Sequence, residues 1–233
     1  MQLSTSRAVL RKGILTVLAC GFAALAAADT ALAKSTLVMP FNMALFWNFH
    51  GLNIHQPWLT GPMLALTYLG SDSLLFAFVI VLSIGLAIRK WLVEAWWLIG
   101  LTVFARILDT VAKNLVQSPR PPLVVPAGRL HAFSGYGFPS GHALMSSVVF
   151  GFVAVLAMRR AKTGAVGVIA AAISAALILA IGASRIYLDA HWANDILGGY
   201  LYGGSVLISA CLLSKGGQMA HAVQISREPK ARQ

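Results

Sequence analysis

Six runs of mostly apolar residues limit how this chain can fold, because each is close to the length of a membrane-spanning helix. Such a helix needs about 20 apolar residues, since the hydrocarbon core of a bilayer is roughly 30 Å thick. Of the 233 residues, 58% are apolar and only 11% are charged, whereas an average soluble domain carries roughly 25% charged residues. The sequence therefore predicts an all-α polytopic membrane protein, a bundle of about six transmembrane helices. The candidate spans are residues 13–33, 70–88, 92–112, 140–158, 164–183 and 193–213.

The segment between the first two spans is apolar but is interrupted by Asn, His, Pro and Gly residues. We expect it to lie along the membrane interface, with Trp47 and Trp58 at the level of the headgroups. The predicted organisation is a first transmembrane helix or signal-like segment at 1–35, the interfacial segment at 36–69, a core with five transmembrane helices at 70–214, and a basic cytoplasmic tail at 215–233.

The basic residues predict the orientation of the chain rather than a nucleic-acid partner. The formal net charge is +11, which in a soluble protein would indicate DNA or RNA binding, but here most basic residues fall between apolar runs. Cytoplasmic loops carry an excess of Lys and Arg, so we expect both termini inside the cell, a bacterial inner membrane location and no nucleic-acid partner. The residues predicted to be cytoplasmic are Arg7, Arg11, Lys12, Arg89, Lys90, Arg159, Arg160, Lys162, Lys215, Arg227, Lys230 and Arg232; Lys34 and Arg129 lie on the other side.

The N-terminus has a second interpretation. Its basic residues, the apolar run that follows and the sequence Ala31-Leu32-Ala33 resemble a cleavable signal peptide with an A-x-A site. Cleavage would leave five spans with the remaining loops on the same sides. Both interpretations of the first helix stay open from the sequence.

Three polar clusters lie at the ends of predicted spans on the non-cytoplasmic side. They occupy residues 113–121, 139–142 and 184–195. Because these ends share one membrane face, a helix bundle can bring three cations, two histidines and a carboxylate into one pocket. Ionisable groups at the membrane edge are costly to place there, which makes them functional candidates.

Taken singly, each cluster also has a structural explanation. Lys113 could extend its charge from a helix end to the interface, Ser140 could cap a helix, and His142 could be a surface histidine. His191 and Asp195, four residues apart, could form a hydrogen-bonded pair on one helix face. It is the combination of the spacings that favours a functional site.

In chain order the clusters are K-x6-R-P, P-S-G-H and S-R-x5-H-x3-D, and this arrangement resembles the signature of the type 2 phosphatidic acid phosphatase superfamily. All three motifs match without a gap or substitution across residues 113–195, whereas residues 1–60 show no specific resemblance. The resemblance implies hydrolysis of a membrane lipid phosphate or diphosphate, through a phosphohistidine, at a site that faces the periplasm. The phospholipid bilayer itself is the other expected partner.

The sequence leaves alternatives open for both the substrate and the reaction class. Undecaprenyl diphosphate is the leading expectation, and phosphatidylglycerol phosphate, phosphatidic acid and lipid A phosphate are the others, because lipid tails are recognised by shape and apolar surface. A lipid phosphotransferase on the same scaffold and a non-enzymatic membrane protein also stay open. The sequence does not indicate an oligomeric state.

The resemblance implies three catalytic residues. His191 would attack phosphorus, and Asp195, one helical turn further on, would hold the other ring nitrogen and stabilise the developing positive charge. His142 would protonate the leaving group and then activate water for the second step.

Five further motif residues are expected to bind phosphate. Cationic side chains suit a phosphoryl group in transfer, because negative charge spreads over its oxygens. The start of a helix offers free N–H groups to an anion, and a glycine there lets phosphate approach the backbone. The predicted phosphate-binding residues are Lys113, Arg120, Ser140, Gly141 and Arg185.

Two questions concern the surroundings of the site. Asp109 either orients Lys113 or forms a structural ion pair, since it lies within four residues of both Lys113 and Arg106. The residues His142, His191 and Asp195 could also be metal ligands. Three neighbouring cations would repel a dication, so we expect neither a metal nor another cofactor.

Overall fold

The computed structural model describes residues 2–122, 134–161 and 163–227, with side chains described from 13 to 214 within these ranges. Among the residues used above for orientation, Arg129, Lys162, Lys230 and Arg232 lie outside the described residues. The α-helices within the described ranges are α1 (Gln2–Leu32), α2 (Met39–His55), α3 (Thr60–Leu69), α4 (Asp72–Ile88), α5 (Leu92–Val116), α6 (Gly141–Arg160), α7 (Gly164–Tyr187) and α8 (Ala193–Arg227). The predicted all-α architecture is confirmed.

Five stretches of the described chain are long and apolar enough to cross a membrane: Gly13–Leu32, Leu92–Val116, Gly141–Arg160, Gly164–Tyr187 and Ala193–Ser214. A sixth candidate is a bent pair, Pro57–Leu69 with Asp72–Ile88, whose axes differ by 53°. A bundle of about six transmembrane helices is therefore confirmed.

The bent pair differs from the sequence expectation of a span at 70–88. The chain breaks at Gly70 and Ser71, where the Ser71 hydroxyl caps α4 by accepting the N–H of Leu74 at 3.4 Å. Residues 57–69, expected within the interfacial segment 36–69, form with α4 a bent helix pair of the kind seen in broken spans and re-entrant loops. At the other end, α8 continues to Arg227, so the predicted tail at 215–233 begins inside a helix.

Helix α6 lies at the centre of the bundle, in contact with α4, α5, α7 and α8. Leu144, Met145 and Val148 have no exposed surface, as expected for a helix surrounded by other helices. The core that they form also contains Leu75 of α4 and Leu98 of α5. This central position fixes the start of α6, where one of the polar clusters lies.

Two glycines of α8 allow a close approach to α6. A Cβ at Gly199 would lie 2.7 Å from the carbonyl oxygen of Ser140, and one at Gly203 would lie 2.9 Å from that of Leu144. Small residues four apart are a common packing device between membrane helices. The start of α8 is thereby held against the start of α6.

The first two helices pack around the same end of the bundle. α1 runs antiparallel to α8, and the Thr30 hydroxyl lies 2.9 Å from that of Tyr202. At the end of α1, the Ser118 hydroxyl donates to the carbonyl oxygen of Ala33 at 3.2 Å. α2 contacts α7 and α8, so the segment expected at the interface contains a partly buried helix.

Candidate active site

All eight residues predicted for the site lie at one end of the bundle, where α5 and α7 finish and α6 and α8 begin. α5 ends at Val116, and Gln117 takes a left-handed conformation with φ 53°. Prolines follow at 119, 121 and 122, and proline cannot continue a helix. The chain therefore turns into a loop that carries Arg120 back over the site.

His191 lies in the loop between α7 and α8, where it is buried and bonded at both ring nitrogens. Its Nδ1 is 3.1 Å from Oδ2 of Asp195, and its Nε2 is 3.2 Å from Nη1 of Arg120. A guanidinium only donates hydrogen bonds, so Nε2 is the acceptor and the ring proton lies on Nδ1, which donates it to Asp195. This tautomer leaves a lone pair on Nε2.

The surroundings of His191 keep its ring neutral. Burial lowers its pKa well below the ordinary value of 6.5, and the positive charges of Arg120, Arg185 and Lys113 lower it further. A neutral imidazole is the form that can act as a nucleophile.

Asp195 holds the loop as well as the ring. Its Oδ2 also accepts the backbone N–H of Trp192 at 3.0 Å, and its carbonyl oxygen accepts the N–H of Ser140 at 2.9 Å. The carboxylate is 1% exposed. These bonds connect the first turn of α8, the loop of His191 and the start of α6.

Arg120 is anchored by backbone oxygens on both sides of the site. Its Nε donates to the carbonyl oxygen of Gly135 at 3.1 Å, and its Nη1 donates to that of Ala190 at 2.7 Å. Both bonds aim the guanidinium at His191. This arrangement needs the several N–H donors of a planar guanidinium, which a lysine does not have.

Lys113 is held by the buried carboxylate of Asp109. Its Nζ lies 2.7 and 2.8 Å from the two carboxylate oxygens. Nη1 of Arg106 donates to Oδ2 of Asp109 at 2.6 Å, and its Nε lies 3.2 Å from Oδ2 of Asp72 on α4. Asp109 thus makes both of the contacts that the sequence offered as alternatives.

Ser140 and Gly141 form the start of α6, next to Lys113. Ser140 takes the N-cap position without a side-chain capping bond, and its buried Oγ has no hydrogen-bond partner among the described residues. A Cβ on Gly141 would lie 3.1 Å from Nζ of Lys113 and from Oδ2 of Asp109. The absent side chain lets the lysine lie against the helix N-terminus, an arrangement that favours an anion.

Thr67, near the end of α3, connects Arg185 with His142. Nη1 of Arg185 donates to the Thr67 hydroxyl at 2.6 Å, and His142 forms a hydrogen bond with the Thr67 backbone. The chain just beyond is tight, since a Cβ on Gly70 would lie 3.2 Å from the His142 ring. Sequence reasoning missed Thr67, because it lies outside the three clusters and threonine is common in apolar helices.

Sequence reasoning also missed the residues of α2 that contact the loop of His191. They are Asn42, Phe46 and His50, the buried residues of that fully described helix. Their spacing of four residues fits one buried helix face, but the helix carries further polar residues, so the sequence alone did not identify them.

Within the described ranges, no three His, Cys, Asp or Glu side chains are grouped so that they could hold a metal ion. The charged neighbours of His142 and His191 include the cations Lys113, Arg120 and Arg185. Such an arrangement can bind a phosphate, stabilise its negative charge and present an imidazole nitrogen to phosphorus.

The chain is similar to known proteins. A family model described as the PAP2 superfamily matches residues 94–216, just over half of the chain. The chain is 31% identical to Phosphatidylglycerophosphatase B of Bacillus subtilis (strain 168) over 157 residues, which are 64% of this chain and 72% of that protein. It also resembles the crystal structure of the first transmembrane PAP2 type phosphatidylglycerolphosphate phosphatase from Bacillus subtilis, with a TM-score of 0.77 and 21% identity over 85% of this chain and 96% of the other.

Proposed function

Because this chain belongs to the PAP2 superfamily and is a membrane-embedded lipid phosphatase, we propose that it removes the terminal phosphate of phosphatidylglycerol phosphate through a phosphohistidine. One observation carries this mechanism. The buried ring of His191 donates from Nδ1 to Asp195 and holds its Nε2 lone pair beside Arg120. One chain of hydrogen bonds therefore connects the orienting carboxylate of Asp195, the nucleophile His191 and the phosphate-binding cation Arg120.

In the first step, the lone pair on Nε2 of His191 attacks phosphorus. The bond from phosphorus to the glycerol oxygen breaks with its electron pair, and His142 supplies the proton that this oxygen needs. Positive charge develops on the imidazole of His191, and the carboxylate of Asp195 stabilises it through the Nδ1–H bond. The products are a phosphohistidine and the free lipid alcohol, phosphatidylglycerol.

In the second step, His142 acts as the base. Having lost its proton, it accepts one from a water molecule, whose oxygen attacks phosphorus. The phosphorus–nitrogen bond breaks, its electron pair returns to Nε2 of His191, and inorganic phosphate leaves. Both histidines then regain their starting protonation states.

The three cations bind the non-bridging oxygens in both steps. Negative charge is spread over these oxygens in the transition state, so fixed positive groups stabilise it. Phosphate oxygens are better acceptors for Arg120 than an imidazole nitrogen, so substrate binding frees the Nε2 lone pair. Ser140 and the N–H groups at the start of α6 complete the site.

The support for phosphatidylglycerol phosphate is the name of the relative that is 31% identical. The undecaprenyl diphosphate expected from the sequence has no support from the names of the relatives, and it becomes the competing substrate in the test. The charge pattern supports a site at the periplasmic face of a bacterial inner membrane, because Arg89 and Arg160 lie at the opposite end of the bundle.

The test is phosphate release by the purified protein in mixed micelles, with His191→Ala as the inactive control. We expect the highest kcat/KM for phosphatidylglycerol phosphate among the four candidate lipids. A higher value for undecaprenyl diphosphate would overturn the substrate while leaving the reaction intact. Labelled phosphate transferred to a second lipid rather than to water would indicate a phosphotransferase.

The same assay in EDTA tests the metal-free site. Activity should persist, because Lys113, Arg120 and Arg185 supply the positive charge that a metal would otherwise provide. Activity that disappears in EDTA and returns with zinc would require the two histidines to be reassigned as ligands.

A further inference from the structure

Helix α2 presents a buried stripe to the loop that carries His191. The stripe consists of Asn42, Phe46 and His50, which share one face of the helix because they are four residues apart. Their exposed fractions are 3%, 1% and 5%. Since two of the three are polar, the stripe does more than bury apolar surface, and buried polar groups require partners.

His50 holds the residue that lies two positions before His191. Its Nδ1 is 2.8 Å from Oδ2 of Asp189, and both side chains are buried. Asp189 has φ 54°, a left-handed conformation that few residues other than glycine adopt. Its Oδ1 has no hydrogen-bond partner among the described residues, so the bond to His50 is what holds this carboxylate, while backbone hydrogen bonds close the turn itself.

Asn42 and Phe46 hold the loop on the other side of His191. Oδ1 of Asn42 accepts the backbone N–H of Asn194 at 3.0 Å, within the first turn of α8. The ring of Phe46 lies 5.5 Å from that of Trp192 and stacks on His50 at 5.6 Å with an angle of 9° between the planes. The stripe therefore contacts the chain at positions 189, 192 and 194.

These contacts matter because an attacking nitrogen must be aimed at phosphorus. A misplacement of about 1 Å can lower a rate roughly a hundredfold. Asp195 and Arg120 bond the ring of His191, whereas the α2 stripe contacts the residues before and after it. The family model begins at residue 94, so it does not include this stripe.

We propose that the α2 stripe is a positioning element that sets where Nε2 of His191 lies relative to the bound phosphate. The kinetic part of this inference rests on the proposed function. The structural part does not, since the order of the loop can be measured without substrate.

The experiment compares buried and exposed residues of the same types on the same helix. Asn42→Leu and His50→Leu remove the polar contacts, whereas Asn48→Leu and His55→Leu change exposed positions. We expect kcat to fall roughly tenfold to a hundredfold in the stripe variants, with KM within about a factor of two of wild type. KM is spared because the phosphate-binding groups lie on other elements. Both exposed variants should match wild type.

A conservative variant separates positioning from general packing. Asn42→Asp keeps an oxygen for the N–H of Asn194 and adds negative charge near the start of α8, where it is favourable. It should retain most of the wild-type kcat, while Asn42→Leu does not. Equal losses in both variants, or a raised KM with unchanged kcat, would overturn the positioning role. If the leucine variant does not fold, Asn42→Ser takes its place, because the serine side chain is too short for its oxygen to reach the N–H of Asn194.

Backbone hydrogen–deuterium exchange provides a readout that needs no substrate. The N–H of Asn194 should exchange faster in Asn42→Leu than in wild type, and at the wild-type rate in Asn48→Leu. Unchanged exchange in both variants would overturn the inference. This result holds even if the wild-type protein hydrolyses none of the tested lipids, so failure of the proposed function is recognised separately.

Discussion

Replacing Arg120 by lysine keeps the positive charge of the site and removes its geometry. The arginine donates from Nε to Gly135, and from Nη1 to both Ala190 and His191, at distances of 2.7 to 3.2 Å. Lysine carries one nitrogen at the end of an unbranched stem, so it cannot occupy the positions of Nε and Nη1 at once. The variant therefore loses at least one of these bonds, together with the two-oxygen fork for phosphate.

The magnitude follows from the bonds lost. A hydrogen bond to a charged group contributes about 1.5–3 kcal/mol. Because about 1.4 kcal/mol corresponds to a tenfold change in rate, losing one such bond in the transition state lowers kcat/KM roughly tenfold to a hundredfold.

The assay is phosphate release at several substrate concentrations, with Arg89→Lys as the matched control. Arg89 is exposed in the turn after α4, so this variant should behave as wild type. Arg160 is a poorer control, because it pairs with Glu94 and lies 4.6 Å above the ring of Trp91. An Arg120→Lys enzyme as active as Arg89→Lys would refute the argument from geometry, since charge alone would then suffice.

Three further predictions concern the histidines and the orientation. His191→Ala should abolish turnover. His142→Ala should lower the rate about 10²–10⁴-fold, and this loss should be smaller for a p-nitrophenyl phosphate ester, whose leaving group needs little protonation. Equal losses on the lipid and on this ester would contradict the acid role of His142. Burial and nearby cations lower the pKa of His191 well below 6.5, so its ring stays neutral until the pH falls through that lowered pKa. The acid limb of kcat/KM should therefore lie below pH 6.5, and an acid limb above pH 6.5 would contradict this assignment. The orientation can be tested in a variant with both native cysteines replaced by serine. A cysteine introduced at the exposed Ser134 should react with a membrane-impermeant thiol reagent in spheroplasts, and one at Thr163 should not. The reverse labelling pattern would overturn the orientation.

The helices could be located from the sequence because length and hydropathy are local properties. The span predicted at 92–112 is the helix Leu92–Val116, which ends close to the prolines that stop it. The start of α4 was harder to interpret, since Asp72 lies in an apolar run. Its partner is Arg106 on the next helix, and a contact between two helices cannot be inferred from either one alone.

The site could be predicted as a set of residues, but the groups that hold them could not. Motif order and alternating helix direction place the three clusters on one face, and the structure brings them together there. His50 and Asn42 gave no such signal, because a polar residue in an apolar segment is equally compatible with an interfacial helix. Their burial depends on how α2 packs against α7 and α8, which is a tertiary property.

The pairing of Lys113 with Asp109 also affects the release of inorganic phosphate from the site. Both carboxylate oxygens lie within 2.8 Å of the lysine nitrogen, so part of its charge is already compensated before and after each reaction. When the phosphate dianion leaves, the ammonium group of Lys113 is still paired with the carboxylate of Asp109. We expect weak product inhibition by free phosphate, so that a lipid phosphatase of this design keeps working as its own product accumulates beside the membrane.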